Sequence, residues 1–198
     1  PVSSRGGGST YFIAAFGGKA LLLLELSIVD RVPIISERLR LLQLDDFILD
    51  FILPSNDSTA TSYCLERGRR RRAFVGFAHN FVDLIEFDCP TDAAATASPP
   101  EVVVVGSVSK QYEYTARFYC SEASVLFTMA FFPDSSISDI IIASGSVFGK
   151  ITLWRVCSTG HSDDEYSPMS ICDAHQHEGV VFRIRWSNDR CHMLSVSD

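Results

Sequence analysis

The chain has 198 residues, 46% of them hydrophobic and 21% charged, an ordinary globular composition with enough material for a sizeable core. Seventeen Lys and Arg against 24 Asp and Glu leave a net charge of -7, which argues against a protein that holds nucleic acid through its overall charge but leaves room for a local basic patch. The six cysteines are scattered with no Cys-x-x-Cys pair, which reads as reduced thiols in a cytosolic or nuclear protein, with a cytoplasmic location expected, and no apolar run reaches the ~18 residues of a membrane span.

The first residue is Pro, and residues 194–198 stop inside a strand-and-turn pattern. The expectation is a fragment of a longer chain, poorly soluble alone because uncovered sheet faces and strand edges are open to aggregation.

Residues 3–9, rich in Ser and Gly, read as a loop. Residues 11–16 and 20–26 read as two strands around the tight turn Gly17-Gly18-Lys19. Residues 38–44 alternate in part, with enough helix propensity to keep a helix as an alternative. In residues 47–53, Phe47, Leu49, Phe51 and Leu53 fall on one face and Asp50 on the other. A polar insertion at 55–72 ends in the arginine run. Residues 73–77 and 81–87 form a second strand pair around Ala78-His79-Asn80, and 88–100 is a linker-like insertion rich in Ala, Thr, Ser and Pro.

Residues 102–105 and 112–120 carry further β-prone runs. Residues 124–134 read as a strand closing in a Pro-Asp turn. Residues 140–143 are a β-branched run, Gly145, Ser146 and Gly149 supply turn chemistry, and residues 151–154 restart a strand ending in Trp154. After a polar insertion at 157–174, His177-Glu178-Gly179 leads into alternation with Val180, Phe182, Ile184 and Trp186 on one face and Arg183 and Arg185 on the other.

Hairpins starting at 12, 74 and 140 lie 62 and 66 residues apart, and an apolar strand follows each. A WD repeat runs about 40–45 residues, and the excess sits in the insertions. The pattern predicts an all-β fold: a partial WD40-type β-propeller of about three irregular blades spanning residues 1–198. Ser144, Trp154, His177 and Ser195 occupy structural positions of such blades, where His, Ser, Asp and Trp link by hydrogen bonds. Val147 or Phe148 stands where the Asp belongs, and Ile85 or Glu86 replaces the Trp in the earlier hairpin. The expectation is a broken network with hydrophobic stacking in its place.

Catalytic signals are weak. Residues 145–152 approximate a phosphate loop one residue short, with Ile151 separating Lys150 from Thr152, and a hairpin turn accounts for them better. Cys157, His161, Cys172, His175 and His177 are zinc-ligand types at irregular spacing in a polar loop, and no metal or other cofactor is expected. Arg67, Arg69, Arg70, Arg71 and Arg72 are the one strong charge run, either a solvated loop tip or an arm whose forked donors fit RNA phosphates.

Residues 143–154, 177–182 and 194–198 together resemble the WD repeat-containing protein 6 family. That family typically carries Ala-Gly-Thr-Val-Phe-x-x-(Ile/Val)-x-(Leu/Val)-Trp, then Gly-His-x-Gly-x-(Ile/Val)-Phe, then Ala-Ser-x-Ser-(Asp/Glu)-Asp-Arg. Residues 46–50 and 76–84 resemble further family segments, so the likeness covers about residues 11–198 in the family's N-terminal region. Gln176 in place of the Gly before His177, Ala78 between Gly76 and His79, and the arginine run depart from it. The resemblance implies a non-enzymatic partner of the tRNA ribose 2'-O-methyltransferase that acts at wobble position 34, with tRNA as a second partner and catalytic residues belonging to the enzyme. It assigns no individual contact residue. The competing expectation is a generic WD scaffold with protein clients only, in trafficking or signalling.

Overall fold

The β-branched and aromatic runs pair locally, each with its neighbour in sequence. A computed structural model describes residues 10–29, 32–54, 69–89, 112–121, 123–158, 166–175 and 177–198. Their regular structure is all strand, in four antiparallel sheets. The first sheet holds β1 (Thr10–Gly17), β2 (Ala20–Val29) and β3 (Val32–Leu41). The second holds β4 (Ile48–Ile52), β5 (Arg69–Phe77), β6 (Phe81–Cys89) and β7 (Tyr112–Tyr119). The third holds β8 (Leu126–Phe131), β9 (Asp139–Ser146), β10 (Lys150–Ser158) and β11 (Tyr166–His175), and the fourth β12 (Val181–Trp186) and β13 (Met193–Ser197). Strand order within each sheet follows the chain, the arrangement short turns impose.

The sheets stack face to face. Leu21, Leu23, Leu39 and Leu41 of the first meet Val75, Phe77, Ile85 and Phe87 of the second. The other face of the second, with Phe74, Val82, Leu84 and Phe118, meets Met129, Ile140, Ile142 and Trp154 of the third. Ala130, Ala143 and Ile151 of the third then meet Val181 and Ile184. A sheet buried on both faces needs apolar residues at successive positions. This is why Ala73, Phe74 and Val75 run on without alternation, all buried.

The helix alternative at 38–44 is overturned: β3 carries that stretch to Leu41, with Leu39 and Leu41 buried and Arg40 and Leu42 exposed, the period of a strand. The insertion at 157–174 is corrected as well, because β10 extends to Ser158 and residues 166–175 form β11, an outer strand paired only to β10. Its described side chains are mostly exposed, so the polar composition hid a strand. The loop at 3–9, the apolar run at 102–105 and most of the insertions at 55–72 and 88–100 lie outside the described residues.

The face assignments of residues 47–53 and 180–186 also change, and the strand within 124–134 shows the same pattern. Phe47 is 56% exposed, and Val125, Phe127 and Phe182 are exposed too, whereas Ile48, Leu126 and Val181 are buried. The cause is the same irregularity in each strand. The register skips Leu49 in β4, Phe127 in β8 and Phe182 in β12. A bulge sets two residues against one and reverses the alternation beyond it. The core pairs therefore become Ile48 with Phe51, Leu126 with Met129, and Val181 with Ile184, each three apart.

A second feature recurs where the sheets adjoin. Leu44 N–H donates to Lys19 O at 3.1 Å, Cys120 N–H to Asn80 O at 3.1 Å, and His177 N–H to Gly149 O at 3.4 Å. In each case the segment entering the next sheet is tied to the hairpin turn of the sheet before it.

Asp50 links two sheets more directly: its Oδ2 accepts from Phe131 N–H at 2.8 Å. Burial raises the Asp50 carboxyl above the ordinary range, against the lowering from the N–H groups of Phe131 and Phe51 and the charge of Arg185. A group with a raised folded-state pKa contributes stability while protonated, and that contribution is lost as pH rises through the folded value. Asp50→Asn does not titrate and keeps an oxygen for Phe131 N–H. The expected result is that its stability relative to the parent improves from pH 4 to pH 7, measured by urea unfolding at both values.

Candidate functional site

The arginine run is not a loop tip over its described part. Arg69, Arg70, Arg71 and Arg72 lie in β5, opposite Cys89, Asp88, Phe87 and Glu86. Arg67 lies outside the described residues, and of the run's side chains only those of Arg71 and Arg72 are described, both half-buried. Arg72 Nε donates to Glu86 Oε1 at 2.5 Å. The strand reading was hidden because four successive arginines lack apolar alternation; the partner acid comes from the facing strand, 14 residues away.

Ser144 and Trp154 meet. Trp154 Nε1 donates to Ser144 Oγ at 2.9 Å, and Ser144 Oγ donates to Asn80 Oδ1 at 2.9 Å. All three are buried. The expectation of a broken network is therefore corrected in part: the Trp–Ser link forms, and an amide from the preceding sheet's hairpin turn takes the third place. Asn80 holds φ +59°, a left-handed conformation that Asn tolerates better than most residues. The turn at 78–80 was legible in the sequence; the contact with Ser144, 64 residues on, was not. His177 and Ser195 form a separate pair, Nε2 to Oγ at 2.8 Å, and do not join the first chain.

A charged cluster escaped the sequence reading altogether. Arg117 of β7 donates from Nε to Asp83 Oδ1 at 2.7 Å and from Nη2 to Asp83 Oδ2 at 2.9 Å. The same Nη2 reaches Asp45 Oδ2 at 2.8 Å. The guanidinium also lies 4.2 Å from the ring centroid of Phe81. Its hydrogen bond to Asp83 holds Arg117 well above its ordinary range, while burial pushes the Asp83 carboxyl up against the influence of Arg117. Beside it, Asp46 accepts from the N–H groups of Phe47 and His79 and pairs with His79 Nδ1 at 2.9 Å. Asp45, Asp83 and Arg117 are 72 residues apart at the extremes, and no local pattern could have joined them.

No group of three metal-ligating side chains occurs among the described residues. Cys157 faces Ser167 and Cys172 faces Leu153, four residues apart along the ladder, or roughly 13 Å. They cannot share one ion. His161 lies outside the described residues, as does the side chain of His175, and His177 is engaged with Ser195. The stretch approximating a phosphate loop is the β9–β10 hairpin, in which Ser146 Oγ accepts from the N–H groups of Phe148 and Lys150. No helix among the described residues is long and apolar enough to cross a membrane. No protein-family model matches the chain, and no curated protein is detectably similar to it.

Proposed function

We propose that the chain is a partial WD40-type β-propeller, a non-catalytic scaffold that partners a tRNA ribose 2'-O-methyltransferase and helps present tRNA for methylation at position 34. The scaffold part draws support from geometry. Sheets of three, four, four and two strands, in chain order, correspond to the last three strands of one blade, two whole blades and the first two of another. The observation that carries this reading is the shared bulge of β4, β8 and β12, each straddled by a core-facing pair three residues apart, buried at both positions in β8 and β12 and at Ile48 but half-buried at Phe51 in β4. Independent sheets have no reason to break their ladders at one common point; repeats of one unit do. The methyltransferase and tRNA rest on the motif resemblance around residues 143–154 and 177–198.

The pairing of Arg72 with Glu86 favours the second reading, a scaffold for protein clients, because an arginine committed to an acid has fewer donors left for phosphate. One experiment separates the two. Capture of the full-length protein from cells recovers a ribose methyltransferase, and deleting its gene removes the 2'-O-methyl mark at position 34. Serine at Arg67, Arg69, Arg70, Arg71 and Arg72 lowers tRNA affinity and flattens its salt dependence. Capture without the methyltransferase, together with an intact mark, overturns the tRNA reading and leaves the protein scaffold.

A further inference from the structure

The cleft between the first two sheets has the makings of a binding site that the scaffold reading does not use. It encloses about 360 Å³. Its floor is apolar, formed by Leu41, Val75, Phe77 and Ile85, and Tyr112 and Tyr114 of β7 also line it. Asp45, Asp83 and Arg117 line its charged part. Among the residues that line the cleft two carboxylates face one guanidinium, a surplus negative charge within that lining; outside it, Lys19 Nζ donates to the backbone O of Asp45 at 2.9 Å.

That surplus is concentrated on Asp45. Asp83 spends both oxygens on Arg117, whereas Asp45 gives Arg117 only Oδ2 and its side chain is 74% exposed. Tyr114 is also exposed, and its ring already lies 5.9 Å from the Arg117 guanidinium. An accessible carboxylate, an aromatic ring and an apolar floor suit a flat cation on a methylene stem: the carboxylate takes its charge, the ring its face, and the floor its stem.

We propose that this cleft receives one arginine side chain of a partner polypeptide. The proposal stands whether or not the partner belongs to tRNA methylation. Charge complementarity selects the occupant: an acidic guest meets Asp45 and Asp83, and a neutral one leaves the surplus unmatched.

A single exposed contact of this kind is weak, so the test needs a method that detects millimolar binding. Saturation-transfer NMR on the whole chain, with N-acetyl-arginine amide and its neutral isostere N-acetyl-citrulline amide, provides one. The expected result is saturable transfer to the arginine methylene protons and none to citrulline. The apparent affinity falls about threefold in both Asp45→Asn and Tyr114→Ala. Both positions are exposed, and unchanged tryptophan fluorescence checks that the variants remain folded. Absence of saturable transfer, equal transfer to citrulline, or an unchanged affinity in Asp45→Asn overturns the proposal.

Discussion

Replacing Trp154 by Ala is expected to destabilise the chain by about 3–5 kcal/mol, the range for truncating a large buried aromatic. Trp154 is 1% exposed and packs among Phe74, Ile140, Ile142 and Val156 at the junction of the second and third sheets. The side chain also closes the buried chain from its Nε1 through Ser144 to Asn80. Trp154→Phe keeps much of the ring and removes the donor, so its cost is smaller, roughly 1–3 kcal/mol. Urea unfolding measures both. A double-mutant cycle of Trp154→Phe with Ser144→Ala should return a coupling of about 1 kcal/mol. Additivity within error would mean that the hydrogen bond contributes nothing beyond packing.

Gly149→Ala is expected to cost about 2–4 kcal/mol, from two sources that add. Gly149 has φ +79°, in the left-handed region that costs an L-residue roughly 1–2 kcal/mol. A Cβ there also falls 2.0 Å from His177 O, which is backbone and can yield only if residues 177–179 move away from the turn. Gly18→Ala is the control. Its φ is +57°, yet no atom lies within 4 Å of the added Cβ, so only the conformational part applies, about 1 kcal/mol. Equal losses at the two sites would show that the contact between the β9–β10 turn and the strand entry at His177 carries no energy.

Much of the local structure was legible. The three hairpins stand where apolar runs flank Gly17-Gly18-Lys19, Ala78-His79-Asn80 and the turn around Gly149, since turn residues and β-branched runs act over a few residues. β11 was missed because an outer strand with exposed side chains has the composition of a loop. The arginine run was misplaced for a related reason: charge suggested solvent, while strand β6 supplied Asp88 and Glu86 opposite it. Of the polar groups, Ser144, Trp154, His177 and Ser195 were legible from their places in the repeat. Asp45, Asp83 and Arg117 were not, because an ion cluster drawn from three distant segments leaves no periodic trace.

Taken alone, the order of residues determined that strands dominate, where most of the turns fall, and that hairpin and apolar strand recur at long intervals. These follow from propensities and spacings read over short windows. That residues 38–41 are strand and not helix was decided by packing. Tertiary structure decided which face each sheet-opening strand buries, that Asn80 completes the chain from Trp154, and that Arg117 bridges Asp45 and Asp83. A period of two predicts faces only while the ladder is unbroken, and one bulged residue inverts it. Partners tens of residues away exist only once the sheets have stacked.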